Sequence, residues 1–138
     1  MKRRRKAREL ALEVLYRVEI TSDNPESILS DTFARTRVPK EVRDFTRMLV
    51  HWSLKERGVI DEIISSAVEN WEFDRIALID CEILRIAICE FIHFPDIPCK
   101  VSINEAIELA KKYSTNDSGR FVNGVLDRVL KTGEYIKK

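Results

Sequence analysis

Six cations crowd the first eight residues, Lys2, Arg3, Arg4, Arg5, Lys6 and Arg8, with no acid among them. A block of one sign at a terminus is suited to neutralising the phosphates of a polyanion. A solvated tail or a targeting segment would have the same composition. A second cluster lies towards the other end. Ser114 to Ser118 carries no apolar side chain, Arg120 adds a cation, and Phe121 adds a ring at a helix start. Cations, polar groups and one or two aromatics are the ingredients of single-stranded nucleic-acid binding, in which rings stack on unpaired bases. Core packing for Phe121 and a plain helix cap for Asp117 are the competing readings. Tyr16 lies off the centre of its apolar stripe, so its ring either meets a ligand or caps the rim of the core.

Catalytic signatures are missing. The chain has no GxGxxG, phosphate-loop, GxSxG or HExxH motif. Its two histidines, His51 and His93, fall in separate helical stretches, and no cysteine stands at a spacing that would complete a zinc site. Cys81 and Cys89 are eight residues apart, which is no CxxC motif, so they read as small core or surface residues. Scattered acids on amphipathic helices read as solvated faces. Neither an enzyme, a metal nor a cofactor is expected.

The elements that must position these groups are helices. Ala7, Leu10, Ala11, Val14, Leu15 and Val18 recur at helical spacing and predict a first helix from Arg3 to Ile20. The cations therefore occupy its first turns, where the helix dipole is already positive. Local electrostatics disfavour that placement, and an external anion would relieve it. Asn24-Pro25 predicts the cap and first position of a second helix, Glu26 to Arg37. A third begins at Pro39 or Lys40 and runs past Gly58, either bent or as two helices. Glu69 to Phe73 reads as a loop whose Trp71 anchors on the core. A fourth, Asp74 to Phe94, is apolar nearly all round, hence central or presenting a second face to a partner. Glu82 and Arg85 can pair on it at i, i+3. Then come two helices with a short polar joint, Val101 to Leu130. Ser102 and Glu105 have capping-box spacing for the first of these. Thr115, Asn116 and Asp117 are candidate caps for the second. Gly124, inside that last helix, predicts close approach of a neighbouring backbone. Gly133 to Lys138 reads as a frayed tail.

At 138 residues, 44% of them apolar and 34% charged, the chain is expected to be a single globular domain, 1–138, with its own core. Its formal net charge of +1 conceals an uneven distribution: with six cations in the first eight residues, the remainder is net acidic. No secretory signal and no membrane-length apolar run is present, so a cytoplasmic, non-membrane protein is expected.

Four segments together carry a family resemblance. They are RRRKARELALEVLY (Arg3 to Tyr16), ILRIAICE (Ile83 to Glu90), KVSINEAIELAKKY (Lys100 to Tyr113) and DSGRFVNGVLD (Asp117 to Asp127). In this order they span nearly the whole chain, which resembles the bacterial transcription antitermination factors of the NusB family. The resemblance implies an all-α, NusB-like helical bundle of two packed three-helix units. It implies an RNA-binding adaptor without catalysis or cofactor. Such an adaptor binds boxA-type RNA together with NusE, a small-subunit ribosomal protein, within an antitermination complex on RNA polymerase, and supports ribosomal RNA transcription. Carried over by position, Arg4, Arg5, Lys6 and Arg8 would hold the RNA backbone. Tyr16, Asp117, Ser118, Arg120 and Phe121 would line the RNA surface, and Asp80 and Arg85 would face NusE. Cys89 stands where tyrosine is usual, and Gly119 where a larger polar residue is common. Some members pair in solution, so a homodimer is a further expectation. Two other classes compete. The same helical domain occurs ahead of RNA cytosine methyltransferase domains, for which 138 residues are expected to leave no room. A pure protein-interaction module using the fourth helix is the other.

Overall fold

Helical periodicity governs what the chain becomes. The computed structural model describes residues 2–68 and 73–133. Over these run α1 (Lys2–Thr21), α2 (Pro25–Arg35), α3 (Lys40–Lys55), α4 (Arg57–Val68), a short 3-10 turn (Phe73–Arg75), α5 (Leu78–His93), α6 (Cys99–Tyr113) and α7 (Asn116–Thr132). No strand occurs among the described residues. Trp71 and residues 134–138 of the expected tail lie outside them. The chain divides into two compact units, 1–51 and 52–138, with the boundary inside α3. The stretch expected to be either one bent helix or two is two, parted at Glu56 and not at Gly58, and among the described residues the second unit holds the helices α4 to α7.

In the first unit, α1 buries Ala7, Leu10, Ala11, Val14 and Leu15 of the predicted stripe, while Val18 is only half-buried. It ends with Ser22 in the left-handed region (φ 59°), where the Ser22 N–H still reaches the Val18 carbonyl at 2.9 Å. Asn24 then caps α2, its Oδ1 accepting from the Glu26 and Ser27 N–H groups at 2.8 and 3.3 Å, and Pro25 takes the first helical position. An exposed ionic lattice joins α1 to α2: Arg17 reaches Asp31 at 3.1 Å, and Arg35 reaches Glu13 at 3.1 Å and Asp31 at 3.2 Å. Its hydrogen bonds from Arg17 and then Arg35 hold the Asp31 carboxyl below its ordinary value. The α3 side chains Val42, Phe45, Leu49 and Val50 are buried.

The second unit is built around α5, which packs against α4, α6 and α7. Every residue from Asp80 to Phe91 is buried, so this helix is central and offers no second face. Burying twelve consecutive positions forces its polar groups to find partners inside. Arg85 donates to both Asp61 oxygens, at 2.8 and 3.0 Å, and to Glu82 at 3.0 Å. Burial works against the Arg85 charge, but the hydrogen bonds to Asp61 and the nearby acids outweigh it and raise the guanidinium above its usual range. Glu90 accepts from the Ser102 hydroxyl at 2.7 Å. Burial also pushes the Cys81 thiol up to about 11 and the Cys89 thiol up to about 12. Cys89 is thus a core residue, fully buried.

Three local expectations are corrected. The fourth predicted helix starts at Leu78, not Asp74, because Phe73–Arg75 closes a separate 3-10 turn. Ser102 and Glu105 form no capping box: α6 begins at Cys99, which puts Ser102 inside the helix with its hydroxyl spent on Glu90. Gly124 meets no neighbouring backbone; a Cβ there would have nothing within 4 Å.

Candidate nucleic-acid interface

The sequence places its cations at the start of α1, whose first turn carries no acid of its own. Arg3, Arg4, Arg5 and Lys6 are all exposed there. Arg3 bonds Glu41 of α3, and the Arg4 guanidinium lies 4.6 Å from the centre of the Phe45 ring, a cation–π distance that steadies the side chain without neutralising it. Tyr16 is exposed. It stands eleven residues after Arg5, which is three helical turns and so the same face of α1, about 16 Å along it.

Arg8 departs from expectation. It is only 3% exposed, with its guanidinium 5.7 Å from the Phe45 ring centre on the inward side of α1. Its place in the group of backbone-holding cations is corrected to an internal one: Arg8 lies on the same helical line as Ala11 and Leu15, and that line faces the core.

In the second unit the polar joint gives α7 its start. The Thr115 hydroxyl accepts from the Ser118 N–H at 3.0 Å, so of the three candidate caps Thr115 is the one used. Helical spacing then turns Asp117 and Arg120 outward. Their side chains are 91% and 83% exposed and stand 3.6 Å apart. Phe121 is half-buried. Ser118 turns inward. Its hydroxyl donates to Asp80 Oδ2 at 2.9 Å and lies 2.9 Å from Ser114 Oγ and 3.1 Å from Thr115 Oγ1. Both side chains are therefore turned inward, Ser118 8% and Asp80 7% exposed, and not outward as a direct contact role would have them. Arg85 is buried as well, committed to Asp61 and Glu82. Asp80 and Arg85 tie α5 to its neighbours within the unit.

Two side chains went unnoticed in the sequence. Phe45 was indistinguishable from any core aromatic. Tyr113 reads as the last member of the α6 apolar stripe, yet it is 41% exposed, with the Lys112 ammonium 5.4 Å from its ring centre. Its place at the very end of α6, after two lysines and before a polar joint, is the signal that could have marked it. Gly119, in the same turn, has room for a methyl group, with Lys111 and Ile107 side-chain atoms at 3.5 and 3.6 Å from a built Cβ.

Among the described residues, no three potential metal ligands come together, and no helix is long and apolar enough to cross a membrane. Fold and exposed groups define a small all-helical protein with a basic helix start in one unit and a polar, aromatic-flanked helix start in the other. The NusB family profile matches residues 5–131. The NusB transcription antitermination protein of Salinibacter ruber is 46% identical over 94% of this chain and 82% of its own. The crystal structure of T. maritima NusB superposes with a TM-score of 0.88 at 35% identity, covering 97% of this chain and 93% of that one. A crystal structure of the antitermination factors NusB and NusE in complex with double-stranded RNA superposes equally well, TM-score 0.88 at 27% identity, covering 96% and 98%. The chain belongs to the NusB family.

Proposed function

We propose that this protein is a transcription antitermination factor that binds boxA-type single-stranded RNA together with NusE, as a non-catalytic, cytoplasmic adaptor within an antitermination complex on RNA polymerase. Residues 1–138 act as one RNA-binding domain in this reading. Its family membership supports the role, and so does the complex of a relative with NusE and RNA. The observation that carries the RNA contact is the acid-free first turn of α1, where Arg4, Arg5 and Lys6 stand exposed on the positive end of a helix. Phosphate is the natural complement of that arrangement, because backbone N–H groups and side-chain cations favour the same anion. Asp117, Arg120, Phe121 and Tyr16 are the groups exposed enough to meet bases. Arg8 and Ser118 support their neighbours from within.

The test is the double variant Arg4→Ala/Arg5→Ala, titrated with a boxA RNA at several salt concentrations. Loss of two phosphate contacts should lower the slope of log affinity against log salt by about 1.4, with unchanged helical circular dichroism. An unchanged affinity and slope would remove the phosphate role. A protein-interaction module without RNA contact would give that result.

A further inference from the structure

Asp80 is 7% exposed and sits in the first turn of α5. Its Oδ2 accepts the hydroxyl of Ser118, which is in the first turn of α7. Two helix starts, each the positive end of its dipole, therefore converge on one buried carboxyl. Among the described residues, the second oxygen, Oδ1, has no hydrogen-bond partner, and the Ser118 bond is the side-chain hydrogen bond that fixes how this carboxyl sits. Around it, Ser114 and Thr115 complete a chain of hydroxyls: Ser114 Oγ and Thr115 Oγ1 both lie within 3.1 Å of Ser118 Oγ, and Thr115 also caps the helix.

The outward side of this same turn carries Asp117, Arg120 and Phe121. These are i−1, i+2 and i+3 from Ser118, so any rotation of the turn moves all three. Asp117 and Arg120 are more than four-fifths exposed, and no core packing of their own orients them. We infer that Asp80 is a positioning residue for RNA recognition: through Ser118 it sets the rotation of the first turn of α7, and so the direction in which Asp117, Arg120 and Phe121 are offered. The inference rests on the RNA-binding reading above. It assigns to a buried acid on α5 a part in a contact that it does not touch.

The variants Asp80→Asn, Asp80→Leu, Ser118→Ala and Asp80→Leu/Ser118→Ala test it, each titrated with boxA RNA well below its unfolding midpoint. Asp80→Asn keeps an oxygen that can accept the Ser118 hydroxyl and should bind within about twofold of the native protein. Asp80→Leu keeps the volume but no acceptor and should bind about tenfold more weakly, a factor set by one misdirected contact group. The double variant should bind no more weakly than Asp80→Leu alone, because the two residues act through one bond. Native RNA affinity in folded Asp80→Leu would overturn the inference, even if its unfolding midpoint fell. So would additive losses in the double variant. Arg4→Ala/Arg5→Ala, run alongside, separates the two claims. If it binds RNA as well as the native protein, the RNA reading itself fails; if it weakens binding while Asp80→Leu does not, only the positioning role fails.

Discussion

At Arg4 and Arg8, four residues apart on one helix, the same residue type serves two purposes. Arg4 is exposed, 4.6 Å from the centre of the Phe45 ring, while Arg8 is buried, 5.7 Å from it. Residue type alone marks both as surface cations, and both lie on the helical line of Ala11 and Leu15; what separates them is burial, Arg4 standing one turn nearer the helix start. The cysteines show similar dependence on place. The Cys81 and Cys89 thiols, pushed up to about 11 and about 12 by burial, hold almost no thiolate at neutral pH. A thiol titration of the native protein at pH 8 should therefore find only Cys99 reactive within minutes, and all three after unfolding. Prompt reaction at all three sites in the native state would contradict the burial. Gly124 offers a prediction of opposite sign to the sequence reading. With nothing near its Cβ position and an exposed mid-helix site, Gly124→Ala should raise stability by about 0.5–1 kcal/mol, through helix propensity alone. Urea unfolding midpoints would show this, and a loss would mean that the glycine has a neighbour after all.

Elements were the most legible part of the chain. The period of Ala7 to Val18, the Asn24-Pro25 cap and the nearly all-apolar stretch around Ile83 each specify a helix from local physics, and α1, α2 and α5 follow. What local physics does not contain is which polar groups meet across the interior. Asp80 and Ser118 are thirty-eight residues apart in the chain, and Arg85 and Asp61 twenty-four, so both pairings exist only once the helices are assembled. Arg85 is the clearest test of this level. Removing it takes the guanidinium from Glu82 and leaves Asp61 the longer Arg57 contact at 3.8 Å, so Arg85→Ala should destabilise the protein by about 3 kcal/mol, the lower end for breaking a buried pair, since Asp61 is a quarter exposed. A change below about 0.5 kcal/mol in urea unfolding would fit a surface partner contact instead. The ionic lattice between α1 and α2 carries a pH signature. The Asp31 carboxyl is held below its unfolded value by Arg17 and Arg35. Its contribution is therefore complete above the ordinary carboxylate range, near pH 4, and is lost as pH falls through the lowered value. Asp31→Asn should lower the unfolding midpoint at pH 7, by progressively less as pH falls below about 4; an equal loss at every pH would contradict the ionic account.

For the whole molecule, a net charge of +1 describes neither end. The cations are concentrated at the start of α1, while the rest of the chain is net acidic, so the field that steers a polyanion comes from one place. The resemblance carried by the four segments anticipated the family and the all-helical architecture. It carried over Arg8, Ser118, Asp80 and Arg85 as contact residues, because matched positions do not reveal burial. The central claim is that the exposed groups of α1 and α7 bind boxA RNA in concert with NusE. Fluorescence anisotropy of a labelled boxA RNA and a scrambled control, with and without NusE, at two salt concentrations, tests it most directly. The account predicts salt-sensitive binding that prefers boxA and tightens with NusE. Equal, weak binding to both RNAs, unmoved by NusE, would contradict it.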